Sequence, residues 1–128
     1  MRLLVDTHVF LWFILDDPRI AKTARPLLVS PDHERFISIA SVWEVAIKHG
    51  LGKLQLNGGR EGFLKDIDQA NFDILDILPA HIMILASLSL HHRDPFDRML
   101  IAQAKTEGMH LLTADPHFAA YDVPLIKA

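Results

Sequence analysis

The chain contains no cysteine among its 128 residues. That excludes a disulfide-stapled scaffold and any zinc site built on thiolates, and it suits a reducing interior. It also lacks an excess of positive charge: 13 Lys and Arg stand against 16 Asp and Glu, a formal balance of −3 with eight histidines left out. A protein that coats nucleic acid by bulk positive charge is thereby disfavoured. No long apolar run is present. The longest, Val9–Leu15 and Ile82–Ala86, fall far short of the roughly 20 residues that cross a bilayer. Asp6 and His8 interrupt what would be the core of a signal peptide, so a soluble, cytoplasmic chain is expected. There is no internal repeat and no low-complexity stretch.

What the chain does have is apolar content. Half of it is hydrophobic, enough for one sizeable core, and its length fits a single domain over residues 1–128. Leu3-Leu4-Val5 is apolar without alternation, the mark of a strand buried on both faces of a parallel sheet. Val9–Leu15 is apolar nearly all round and reads as a helix that is buried, or covered by a partner. Ile20–Val29 reads as a second helix bent at Pro26. Phe36–Ile39 is a second strand, and Ser41–His49 a helix stopped by Gly50 and Gly52. Glu61–Ala70 is helical. Phe72–Leu78, with its alternating acids, is a strand near a sheet edge. Ala80–Leu90 is helical, and a helix from Asp94 to Glu107 closes at Gly108. His110–Thr113 is a fourth strand, and Val123–Ile126 adds a short fifth. Strands alternating with helices give an α/β fold with a mostly parallel sheet of four to five strands.

Two strands run straight into carboxylates: Leu3-Leu4-Val5-Asp6-Thr7 and Leu111-Leu112-Thr113-Ala114-Asp115. Ligands of open parallel sheets bind at the carboxyl ends of the strands. If the two strands are adjacent, Asp6 and Asp115 meet there. Each alone also fits an ordinary turn or cap aspartate. Glu44 fits a capping box with Ser41, and an i,i+4 pair with Lys48. In Arg93-Asp94-Pro95-Phe96-Asp97-Arg98, Asp94 is a natural helix cap ahead of Pro95. Asp97 tops a stripe with Leu100, Ile101 and Ala104 that faces the protein interior. A carboxylate there is costly unless paired or bound to metal, so Asp94 is assigned the cap and Asp97 the chemistry, with the reverse left open.

The order Leu-Leu-Val-Asp6-Thr7-His8, Ser41-Val42-Trp43-Glu44, Asp94-Pro95-Phe96-Asp97-Arg98 with Leu100-Ile101-Ala102-Gln103-Ala104, and Leu111-Leu112-Thr113-Ala114-Asp115 resembles the PIN-domain nucleases. Within them it is most similar to the VapC-type ribonuclease toxins of toxin–antitoxin pairs, over nearly the whole chain. The resemblance implies a three-layer α/β/α sandwich and a metal site of Asp6, Glu44, Asp97 and Asp115, with Asp94 as the substitute for Asp97. It implies a Mg2+- or Mn2+-dependent endoribonuclease, a homodimer, and a cognate antitoxin laid along the nuclease groove. Thr7 and Thr113 match hydroxyl positions beside the site in relatives.

The chemistry of such a cluster agrees. Four carboxylates in one pocket repel, and without a cation at least one takes up a proton. Oxygen donors favour Mg2+ or Mn2+ over zinc, and such ions polarise a scissile phosphate and activate water. Asp6 and Asp97 are expected to hold the principal ion, with Glu44 and Asp115 acting through water or orienting the nucleophile. No His-Glu-x-x-His spacing points to zinc, and Gly50-Leu51-Gly52-Lys53 lacks the context of a phosphate loop. Adjacent His91 and His92 are read as exposed or substrate-facing rather than metal-binding. His8 sits where it can help position substrate. Arg93, Arg98, Lys48 and Lys53 are candidates to flank the cleft and bind RNA.

Two other readings remain. An aspartate-nucleophile phosphatase of the haloacid dehalogenase type also starts from a strand-end Asp, but calls for a second Asp where His8 stands. A PIN scaffold kept only for protein binding would not need all four acids. With those four set aside as a metal cage, 13 basic residues face 12 acidic ones, and the charge no longer argues against nucleic acid.

Overall fold

The structure, a computed structural model, describes residues 1–128. Its centre is β1 (Arg2–Val5), whose Leu3, Leu4 and Val5 are fully buried. Leu4 packs into one core with Leu111, while Val5 packs into another with Leu112. A strand covered on both faces has no use for a polar alternate position, which is why the run is apolar throughout.

Around β1 the chain forms one parallel sheet in the order β3-β2-β1-β4-β5. The other strands are β2 (Glu34–Ser38), β3 (Asp73–Leu75), β4 (His110–Thr113) and β5 (Leu125–Lys127). Val5 stands opposite Leu112 and Leu4 opposite Phe36. From β1 the chain winds outward to β2 and β3, then returns to β4 on the other side, so the order reverses between β1 and β4. Such a reversal opens a crevice at the strands' carboxyl ends.

Helices cover both faces, giving the expected α/β/α sandwich. Val9 and Phe10 of α1 (Thr7–Ile14), Leu28 of α2 (Arg25–Val29), Val45 of α3 (Ile39–Gly50) and Phe63 and Ile67 of α4 (Gly59–Gln69) share one core. Phe10 meets Phe63 and Phe72 edge-on, at ring separations of 5.7 and 5.0 Å. On the other face, Leu100, Ile101 and Ala104 of α6 (Pro95–Glu107) pack on Leu4 and Leu111. α5 (Pro79–Ser87) lies against α6. The stripe expected beneath Asp97 is thus the inner face of α6. Gly108, left-handed at φ 66°, ends that helix and lets β4 start two residues later.

Several boundaries differ from the sequence reading. Ile20–Val29 is not one bent helix: only Arg25–Val29 is helical, with Pro26 in its first turn, where a missing N–H costs nothing. Ile20 and Ala24 still reach the core from the turns before it. α3 begins at Ile39 rather than Ser41, because Ser38 is both the last residue of β2 and the helix cap, its Oγ accepting from Ala40 N at 3.0 Å. β3 is shorter than 72–78 but does lie at the edge, and α5 stops at Ser87 rather than Leu90. α1 is half covered: the sheet side takes Val9 and Phe10, Leu11 to Ile14 are partly buried, and Leu15 beyond the helix is exposed.

Candidate metal centre

The backbone N–H of Asp6 donates to Leu112 O at 3.0 Å, carrying the β1–β4 ladder one residue past the strand. This places Asp6 at the mouth of the crevice, with the chain turning into α1 behind it. Across the crevice Thr113 donates its hydroxyl to Asp6 Oδ2 at 2.9 Å and accepts from Asp115 N at 3.0 Å. One hydroxyl therefore fixes both strand-end acids. Asp6 is 4% exposed, and its Oδ1 is buried with no hydrogen-bond partner. Burial holds its carboxyl above the ordinary range, helped by nearby Glu44 and opposed by the Thr113 bond and His8.

Glu44 reaches the same place from α3. It is 2% exposed; Oε2 takes the ammonium of Lys48 at 2.7 Å, while Oε1 is buried without a partner. The capping box drawn between Ser41 and Glu44 is absent, because Ser38 caps the helix. Ser41 lies inside α3, and its Oγ accepts the hydroxyl of buried Thr7 at 2.7 Å, tying α1 to α3. The expected Glu44–Lys48 pair is present, and it raises the Lys48 pKa, chiefly through that hydrogen bond.

On α6, Asp94 is the cap: its Oδ1 accepts from Phe96 N at 2.8 Å and from Asp97 N at 3.3 Å. Asp97, one turn in, is partly buried and pushed up to about 8, first by desolvation and then by the charges of Asp6, Asp94, Glu44 and Asp115. Five carboxylates thus feel one another. Asp115 goes the other way: burial would raise it, but hydrogen bonds from His117 and His92 prevail and hold it below its usual value. Its Oδ1 accepts from His117 N and faces His117 Nδ1, both at 2.9 Å, and its Oδ2 faces His92 Nε2 at 3.2 Å.

His92 is the residue that sequence reasoning misplaced. Neither solvent-facing nor free, it is turned inward between Asp97 Oδ2 (3.0 Å) and Asp115 Oδ2 (3.2 Å). One nitrogen and two carboxylate oxygens of this trio lie within 4.8 Å of one another. His91 stays at the surface with its ring edge-on to Tyr121. The pivot is Tyr121, whose hydroxyl accepts the backbone N–H of both histidines at 3.0 and 2.9 Å and donates to Ser89 O at 2.8 Å. No local spacing announces this contact, which spans 29 residues.

The remaining candidates divide. Thr7 and Thr113 spend their hydroxyls within the protein. The Arg98 guanidinium is committed to the same loop, donating to Ser89 O at 3.1 Å and to the carbonyls of Leu85 and Leu88 at 3.3 Å. His8, Lys48 and Lys53 line a cleft of about 260 Å³ that also includes Glu44, and Arg93 is exposed.

Two buried carboxylate oxygens, Asp6 Oδ1 and Glu44 Oε1, have no partners, and both acids act electrostatically on Asp97, whose pKa is pushed up to about 8, an arrangement that a divalent cation would satisfy. The donors are hard oxygens, so the residues fit Mg2+ or Mn2+.

A family model described as the PIN domain matches residues 3–124. No curated protein matches the chain. Among solved structures the chain is similar to VapBC2 from Rickettsia felis, determined bound to a DNA fragment from their promoter. The TM-score is 0.76 at 17% identity, covering 99% of this chain and 98% of that one. It is similar to FitAcB from Neisseria gonorrhoeae, with TM-score 0.67 at 23% identity over 97% and 96% of the two chains. VapBC-5 from Mycobacterium tuberculosis, a member of the VapBC family of toxin-antitoxin systems, matches with TM-score 0.65 at 20% identity over 99% and 98%. At these identities the likeness is one of fold.

Proposed function

We propose, from the premise that this chain belongs to the PIN domain family, that it is a VapC-type toxin: a metal-dependent endoribonuclease held in check by a cognate antitoxin. Residues 1–128 are read as one PIN-like domain. The observation that carries the proposal is the pair of unpartnered buried oxygens, Asp6 Oδ1 and Glu44 Oε1, in the same electrostatic cluster as Asp97. Asp6, Glu44 and Asp97 would hold a Mg2+ or Mn2+ ion, with Asp115 beside them. When bound, such an ion would polarise the scissile phosphate of RNA and lower the pKa of the attacking water.

The chain's own residues supply the rest. Thr113 fixes Asp6 and Asp115 relative to one another, so the crevice is shaped before substrate arrives. Asp94, committed to the helix cap, is assigned to structure and Asp97 to the ion. Lys48, Lys53 and His8 beside Glu44, with exposed Arg93, offer positive charge to an RNA backbone. That local charge is what a chain of net charge −3 needs in order to bind a polyanion.

The toxin assignment and the antitoxin partner draw support from the toxin–antitoxin complexes among the similar folds, and a homodimeric state belongs to the same proposal. No helix is long and apolar enough to cross a membrane; a cytoplasmic location, where the chain would meet RNA, is part of the same proposal. The test is to map RNA 5′ ends after brief induction, in cells expressing wild type or Asp6→Asn. New ends at defined sites in wild type alone would support the proposal. Identical end profiles, or growth arrest unaffected by Asp6→Asn, would sink it.

A further inference from the structure

We propose that His92 is a positioning residue of this acid cluster and not one of its metal ligands, its Nε2–H holding Asp115 in place beside Asp97. The inference rests on the metal reading above. On spacing alone His92, Asp97 and Asp115 resemble a three-ligand site, since their donor atoms lie within 4.8 Å of one another. The hydrogen bonds of the ring say otherwise. Its Nδ1 faces the backbone N–H of Asp94 at 3.2 Å and so accepts. The tautomer assigned by that partner puts the ring proton on Nε2. Nε2 in turn donates to Asp115 Oδ2 at 3.2 Å, while Asp97 Oδ2 lies 3.0 Å away, outside that hydrogen bond. A ligating imidazole does the reverse: it gives a lone pair to the ion and donates its other N–H outward. Here the outward nitrogen meets a donor. Turning Nε2 into a ligand would set an Nδ1 proton against the Asp94 N–H.

The ring has little freedom to escape this arrangement. Its own backbone N–H is held by Tyr121 at 2.9 Å, and the ring packs 5.7 Å from Phe118 and 5.5 Å from His117. Asp94 is fixed by capping α6. The residue that starts α6 therefore sets the tautomer of the ring that orients Asp115. Asp115, held at both oxygens by His92 and His117, is fixed as a neighbour. The donor set stays all-oxygen.

The experiment uses the full chain with Mn2+ as probe. In the metal-free protein, long-range 1H–15N spectra of the His92 ring should report a proton on Nε2 and a bare Nδ1. The opposite tautomer overturns the proposal. With Mn2+ bound to protein carrying 15N-histidine, pulsed electron paramagnetic resonance should show no directly coordinated histidine nitrogen; strong nitrogen coupling overturns it. His92→Gln, which keeps a side-chain N–H donor for Asp115, should keep Mn2+ affinity, whereas His92→Leu should weaken it by about 10–100-fold, as losing an outer-shell partner does. A Gln variant as weak as the Leu variant contradicts the donor role. If wild type binds no Mn2+, the metal reading itself falls, while the tautomer still decides whether His92 donates.

Discussion

Thr113 donates its hydroxyl to Asp6 Oδ2 at 2.9 Å across 107 positions of sequence. This bond locks together the ends of the two strands at the sheet's reversal point, and the same oxygen receives the N–H of Asp115. Replacing it with valine keeps the shape and removes both contacts. Thr113→Val should cost about 1–3 kcal/mol of stability, since two buried polar groups lose their partner. Urea denaturation of the metal-free protein reads this directly, and Thr113→Ser should recover most of it.

Asp97 carries a pH signature. Its folded pKa, pushed up to about 8 by burial and four neighbouring carboxylates, lies above the ordinary carboxylate value. Between these two values the folded state holds a proton that the unfolded state has lost, so stability falls as pH rises. The contribution is full below about pH 4 and is lost as pH passes about 8. Metal-free protein should therefore be less stable at pH 8.5 than at pH 6 in urea titrations. Asp97→Asn should flatten that difference, and saturating Mg2+ should flatten it too, because the ion replaces the proton.

The two acids that open α6 should separate cleanly. Asp94→Ser keeps a capping oxygen and should leave RNA cleavage nearly intact, whereas Asp94→Ala should cost about 1 kcal/mol of stability through the lost cap. Asp97→Asn should lower cleavage by about 10²–10³-fold while leaving the fold in place, the scale expected when several kcal/mol of charge stabilisation are removed. Cleavage rates and urea midpoints on the same preparations decide this. A variant pattern with the roles exchanged would reassign the site to Asp94.

Tyr121 holds the 88–94 loop from a distance. Tyr121→Phe strands the N–H of His92, while the His91 N–H keeps Ser89 O, which also keeps the Arg98 guanidinium. It should cost about 1–3 kcal/mol, and cleavage should fall with it because His92 loses its anchor. Unchanged hydrogen-exchange protection at His92 would contradict that role.

The sheet's centre was legible because burial on both faces leaves a plain mark: Leu3-Leu4-Val5 and Leu111-Leu112 are apolar without alternation, and each run leads into an acid. The α6 cap was equally plain, since Asp94-Pro95 and Gly108 are local signals. Three features were hidden for a common reason. Ser38 and Ser41 look alike in sequence, and only the direct passage from β2 into α3 selects Ser38 as the cap. Ile20 and Ala24 carry helical spacing, yet bury from turns. His92 is aimed by Tyr121, a partner 29 residues away that only the fold brings near. The acids were legible in order along the chain, as were the Lys48 partner of Glu44 and the cap role of Asp94, but the contacts of Thr113, His92 and His117 that hold Asp6 and Asp115 were not.

The central claim is that Asp6, Glu44 and Asp97 act through a divalent ion on RNA. The most direct measurement is cleavage of a defined RNA by purified protein, stripped with a chelator and then supplied with Mg2+ or Mn2+, for wild type beside Asp97→Asn. The account predicts cleavage by wild type only when the ion is present, and almost none by Asp97→Asn under any condition. Cleavage that survives the chelator, or an Asp97→Asn variant as active as wild type, would contradict it.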